Sequence, residues 1–170
     1  MAATQVIHIL WEGPFSLVEL ATLNDQATDG GLYQIYGAHP VYGPDVLLYV
    51  GQTVEQTFAQ RIPQHRWDIS EDPKTIKVYV GRLVSETPLK LAEWKSMIDL
   101  AEKLTIHANA PAYNATHLMA VHHENAEALA GVHVLNWGSY RCLAAEASGL
   151  KWGTDPKLMA ELPVFRYPGA

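Results

Sequence analysis

The sequence predicts an α/β (α+β) fold, with a small, mostly antiparallel central sheet of three strands flanked by helices. Three observations predict it. Leu32–Tyr36 and Val46–Val50 are rich in β-branched and aromatic residues, and a stretch with two Gly and two Pro separates them, so they read as a loosely turned hairpin. Ile76, Val78 and Val80 alternate as in a third strand over 75–80. Pro88–Ile106 then carries apolar residues at helical spacing.

The elements follow in order. An N-terminal strand-helix arm is expected over 1–30. Val6–Trp11 reads as a short strand that Glu12-Gly13-Pro14 breaks. Ser16-Leu17-Val18-Glu19 has the capping-box pattern, which predicts a short helix from Leu17 to Leu23, followed by a polar loop from Asn24 to Gly30. The core is expected over 31–115: the hairpin, a helix from Glu55 to Ile62 stopped by Pro63, the third strand and the long helix. Thr87 would cap that helix, with Pro88 at its first position. Its buried stripe would be Leu91, Trp94, Ile98, Ala101 and Thr105, with Glu102 emerging at the edge of the sheet contact. Asn109-Ala110-Pro111 ends it. A C-terminal extension over 116–170 would pack on the core, with a strand at Val132–Trp137, a short helix at Tyr140–Ala147, and an arm anchored by Trp152 and Tyr167.

Composition narrows the function classes. The chain has 170 residues, 48% of them hydrophobic, which suits one domain with a sizeable core. Cys142 is the sole cysteine, so no intramolecular disulfide or Cys-rich zinc site is possible; a reducing, cytoplasmic setting is expected. Neither a signal peptide nor a membrane span is legible. The net charge of -6, with 12 Lys+Arg, limits non-specific attraction to nucleic acid. Arg61, Arg66, Lys74, Lys77 and Arg82 are close enough in sequence to build a local basic groove.

One ordered set of residues carries chemistry: Gly31-Leu32-Tyr33, Tyr49-Val50-Gly51, Arg61, His65, Glu102 and Asn114. Hydrolysis of a phosphodiester needs a deprotonated water, positive charge on the phosphoryl oxygens and a stabilised leaving oxygen. Arginine offers phosphate a bidentate fork. A lone carboxylate suits Mg²⁺, which keeps most of its water. A tyrosine accepts a proton only where a neighbour stabilises its phenolate or relays the proton onward. His107, His117, His122, His123 and Glu124 raise zinc as a thought, but their spacing fits no HExxH pattern.

Over 31–114 the set resembles the GIY-YIG nuclease superfamily, and the Arg61-x-x-x-His65 spacing is closest to its restriction-endonuclease branch. The resemblance implies a GIY-YIG-like nuclease core and a metal-dependent DNA endonuclease of restriction or defence type, leaving 5′-phosphate and 3′-hydroxyl ends. It implies Arg61 on the scissile phosphate and Glu102 on Mg²⁺ (or Mn²⁺). Tyr33 and Tyr49 would order and activate the water with help from His65, and Asn114 would brace the site; Gly31 and Gly51 complete the motif. Which tyrosine takes the proton is left open. Leu32 and Val50 replace the family's isoleucines, and Gln52-Thr53 stands where a lysine often follows the second motif. DNA is the expected partner, and a palindromic duplex would favour a two-fold homodimer. The alternatives are a structure-specific or single-strand nuclease of repair or mobile elements, and a catalytically silent nucleic-acid-binding module.

Overall fold

A computed structural model describes residues 4–65, 72–118 and 126–149. Among the described residues six strands form one mixed sheet, in place of the expected three-stranded, mostly antiparallel one. They are β1 (Gln5–Phe15), β2 (Gly31–His39), β3 (Gly43–Thr53), β4 (Lys77–Val84), β5 (Val132–Gly138) and β6 (Glu146–Ser148), in the spatial order β3-β2-β4-β1-β5-β6. Helix is sparse. Among the described residues only α2 (Leu91–Asn109) is long; α1 (Phe58–Arg61) and α3 (Ala126–Leu129) are single turns, and Glu19–Thr22 and Ile62–His65 are 3-10 turns.

The largest correction concerns β1. It lies inside the sheet, antiparallel to β4 (Ile9 opposite Leu83) and parallel to β5 (Ile7 opposite Val134). The reason is its alternation. Ile7, Ile9 and Trp11 are buried at 0–1% exposure, while Val6 and Leu10 face outward. Each buried side chain contributes about 1.5–3 kcal/mol, more than a peripheral arm would gain. The parallel β1–β5 pair needs a long crossover, and everything between the two strands supplies it.

Helical expectations shrink accordingly. The Ser16–Glu19 capping box forms, with Ser16 N and Oγ donating to Glu19 Oε2 at 2.8 and 2.7 Å, but it opens only a 3-10 turn. The helix expected over 55–62 begins at Phe58, and the one expected over 140–147 is replaced by turns and the short strand β6. α2 starts three residues beyond Pro88, with no side-chain cap, and ends at Ala110 in the left-handed region (φ 43°). Leu91 is 65% exposed rather than part of the buried stripe. The expected arm over 150–170 lies outside the described residues, as do Arg66, His122, His123 and Glu124.

Two apolar layers sandwich the sheet. α2 brings Ile98, Ala101 and Leu104 onto Ile7, Ile9, Leu32, Val50 and Val134. On the other face Leu20, Leu23, Phe58 and Ile62 join Tyr33, Ile35, Leu48 and Val80. β3 is an outermost strand, and the chain after α2 returns along its rim: Ala112 N and Tyr113 N donate to the carbonyls of Leu47 and Leu48 at 3.1 and 2.8 Å.

Candidate active site

The site gathers at β2 and β3 near that rim. Tyr33 on β2 stands opposite Gly51 on β3. A Cβ at residue 51 would lie 2.6 Å from both Cζ and Oη of Tyr33 and 2.7 Å from Cε1 of Tyr49. Glycine there lets both phenol rings lie over the strand. Gly31 has a different reason: its φ is 142°, and a Cβ would meet the Gly81 carbonyl oxygen at 2.2 Å.

The phenols share their face with a histidine. Tyr33 Oη and His65 Nε2 are 2.7 Å apart. The Tyr49 ring centre lies 5.0 Å from that of His65 and 6.1 Å from that of Tyr33. Burial of Phe58 and Ile62 sets the rotation of α1 and the 3-10 turn after it, and so presents Arg61 and His65. Arg61 Nη1 donates to Gln64 Oε1 at 3.1 Å. The preceding loop anchors the start of α1: Phe58 N donates to the Asp29 carbonyl at 2.9 Å, and Thr57 Oγ1 to Asn24 Oδ1 at 2.7 Å.

Glu102 comes from α2 and is 9% exposed. Gln52 Nε2, on β3, donates to its Oε2 at 2.8 Å. Burial pushes its carboxyl up to about 7, against the pull of the Gln52 hydrogen bond; Asp99 raises it further and Lys103 lowers it. Asn114 acts on backbone. Its Oδ1 accepts from Val50 N and its Nδ2 donates to Val50 O, both at 2.9 Å, so it clamps the residue between Tyr49 and Gly51.

Burial is the largest cause of the shifts at the two phenols and the imidazole. Burial raises the Tyr33 phenol far above its ordinary range, and Tyr49 and Glu102 add to the shift while Arg61 opposes it. Tyr49 is raised for the same first reason, then by Glu102, with Arg61 again opposing. The His65 imidazole is lowered by burial and then by the Arg61 charge. Tyr33, Tyr49 and His65 are thus in ring contact on one face of the β2–β3 pair, whereas Glu102 reaches β3 from the α2 face through Gln52, and Asn114 bonds the Val50 backbone between them.

Gln52 is the residue that sequence reasoning undervalued. It was notable only as a missing lysine, whereas it is the amide that holds the Glu102 carboxylate. Its signal was the two-residue step from Val50, which puts both on the α2 face of β3.

The donor set at Glu102 fits a hydrated divalent ion. A nearly buried carboxylate whose proton affinity is raised gains from a cation, and one carboxylate with water in the remaining positions is the kind of site Mg²⁺ accepts. Among the described residues no three His, Cys, Asp or Glu side chains converge. No helix among the described residues is long and apolar enough to cross a membrane. Comparison with known proteins finds no matching family model, curated protein or solved structure.

Proposed function

We propose that this chain is a metal-dependent DNA endonuclease of GIY-YIG type, acting in restriction or defence and leaving 5′-phosphate and 3′-hydroxyl ends. The observation that carries the reading is the 2.7 Å contact between Tyr33 Oη and His65 Nε2, beside Tyr49 and within the field of Arg61.

That contact suggests how a water is activated. The Tyr33 phenol is held protonated, so it donates to His65, whose lowered basicity keeps the ring neutral and accepting at neutral pH. As a water gives a proton to Tyr33 Oη, the phenol proton passes to Nε2. The hydroxide forms without a free phenolate, and His65 ends as imidazolium. Arg61 stays charged and binds the scissile phosphate through its fork. Tyr49 orders the water from the other side, and Asn114 fixes the β3 backbone between the two phenols. Mg²⁺ or Mn²⁺, held by Glu102, would supply positive charge for the phosphoryl and leaving oxygens.

Plasmid cleavage tests this. The native chain should nick or cut DNA with Mg²⁺ and not with chelator, and Glu102→Ala should lose about a thousandfold or more in rate. Cleavage unchanged by Glu102→Ala would remove the carboxylate from its role. One observation favours a second reading: the partner of Glu102 is the Gln52 amide rather than a lysine. A catalytically silent nucleic-acid-binding module would bind DNA, cut nothing with any divalent ion, and bind equally well with Glu102→Ala.

A further inference from the structure

A cleft of about 660 Å³ opens beside the site, between the 26–30 loop, the turn after β3, the end of β4 and the start of α2. Its apolar lining includes Trp94, Leu89, Val54 and Leu83, and its polar lining includes Gln26, Gln56 and Thr87. The volume suits a small organic group. We infer that this cleft takes one unstacked nucleobase of the bound strand, an inference that rests on the nuclease reading above.

Charge excludes a phosphate as the preferred occupant. Arg82 is the cation in the lining, and it is committed: Nε donates to the Thr28 carbonyl at 3.0 Å, Nη2 to Asp29 at 2.6 Å, and Nη1 to Glu12. Glu55, also in the lining, is paired with Lys95 at 2.9 Å. What the cleft offers is therefore an indole, aliphatic walls, and amide and hydroxyl groups. That is the chemistry of a neutral, planar heterocycle with hydrogen-bonding edges. Gln26 and Thr87 are exposed, and their side chains make no hydrogen bond among the described residues, so both can turn to a ligand.

Position favours a base of the strand at the site. Gly30, in the cleft wall, immediately precedes β2 and is three residues from Tyr33, about 10 Å at the rise of a strand. Gln56, also in the wall, accepts from Gln64 Nε2 at 3.3 Å, and Gln64 Oε1 accepts from Arg61. The loop that walls the cleft also anchors α1, so an occupied cleft would steady the helix that carries Arg61.

The test separates base binding from backbone binding. Fluorescence anisotropy, in chelator, compares single strands of about 12 nucleotides carrying natural bases with an abasic strand of equal phosphate count. The native chain should prefer the base-bearing strand about tenfold. Trp94→Leu should lose most of that preference while its affinity for the abasic strand is unchanged. The double substitution Gln26→Ala with Thr87→Ala, at exposed positions, should weaken it severalfold without a folding defect. A preference that is absent, or that survives both variants, overturns the base site and leaves the nuclease reading standing. Free nucleosides competing as well as the strand does would assign the cleft to a soluble ligand and overturn it too. No binding to any strand would overturn the base site, whereas the nuclease reading is decided separately by plasmid cleavage with Mg²⁺.

Discussion

Glu102 ionises at a cost that depends on pH. Its ordinary value of 4.5 is raised to about 7 in the folded chain, first by burial. For a raised group, stability is fully present below the unfolded value and declines as pH rises through the folded one. Without divalent ions, the native chain should therefore lose stability between about pH 4.5 and 7, by roughly 3 kcal/mol at most. Glu102→Gln should escape this, matching the native melting temperature near pH 4.5 and exceeding it at pH 8. Added Mg²⁺ should close the gap at pH 8 by raising the native chain alone. Equal melting curves at both pH values would count against a destabilised carboxylate. Gly51 is the other residue with a sharp consequence. Gly51→Ala would drive the phenols apart, costing about 1–3 kcal/mol of stability and at least a hundredfold in cleavage through the Tyr33–His65 contact. A fully active Gly51→Ala chain would show that this contact is not needed.

Among the elements, β3 does most to assemble the site, since Tyr49, Gly51 and Gln52 lie on it and Asn114 clamps it. Asn114→Ala would strip the side-chain partners from Val50 N and O, a loss of about 1–3 kcal/mol. Hydrogen exchange at the Val50 amide should accelerate more than exchange in β1, where Ile9 is paired on both sides. Uniform acceleration would argue for a general rather than local role. The strands were legible in sequence because β-branched and aromatic runs with breakers between them report on local structure; Leu32–Tyr36 and Val46–Val50 fall within the observed β2 and β3. The order of strands was not. Nothing near Val6–Trp11 reveals that its partner is 132–138, because that pairing is decided by burial across the whole chain. The short helices failed for a related reason: α1 is set by Phe58 and Ile62 meeting the core and by the bond from Thr57 to Asn24, contacts remote in sequence. Glu102 was placed near the sheet by helical period alone, but its Gln52 partner needed the register of β3.

At the scale of the molecule, the sheet does not divide at residue 31. β1 is hydrogen-bonded on both sides, and Ile7, Ile9 and Trp11 sit in the same apolar layer as Ile98 and Leu104 from α2. A fragment spanning 31–115 should therefore fail to fold alone, although it contains Tyr33, Tyr49, Arg61, His65, Glu102 and Asn114. Circular dichroism and a thermal melt check this, and a cooperative transition from the fragment would refute it. Trp11 adds a second tie, donating through Nε1 to Asn136 Oδ1 at 2.8 Å on β5.

The outer rim of β3 has a consequence for crowded solutions. Strand edges with unpaired amides and carbonyls act as templates on which other chains polymerise. Here the Leu47 and Leu48 carbonyls and both backbone groups of Val50 are already taken by Ala112, Tyr113 and Asn114. The brace that pins Val50 between the two site tyrosines' strand positions also denies that rim to fibril growth.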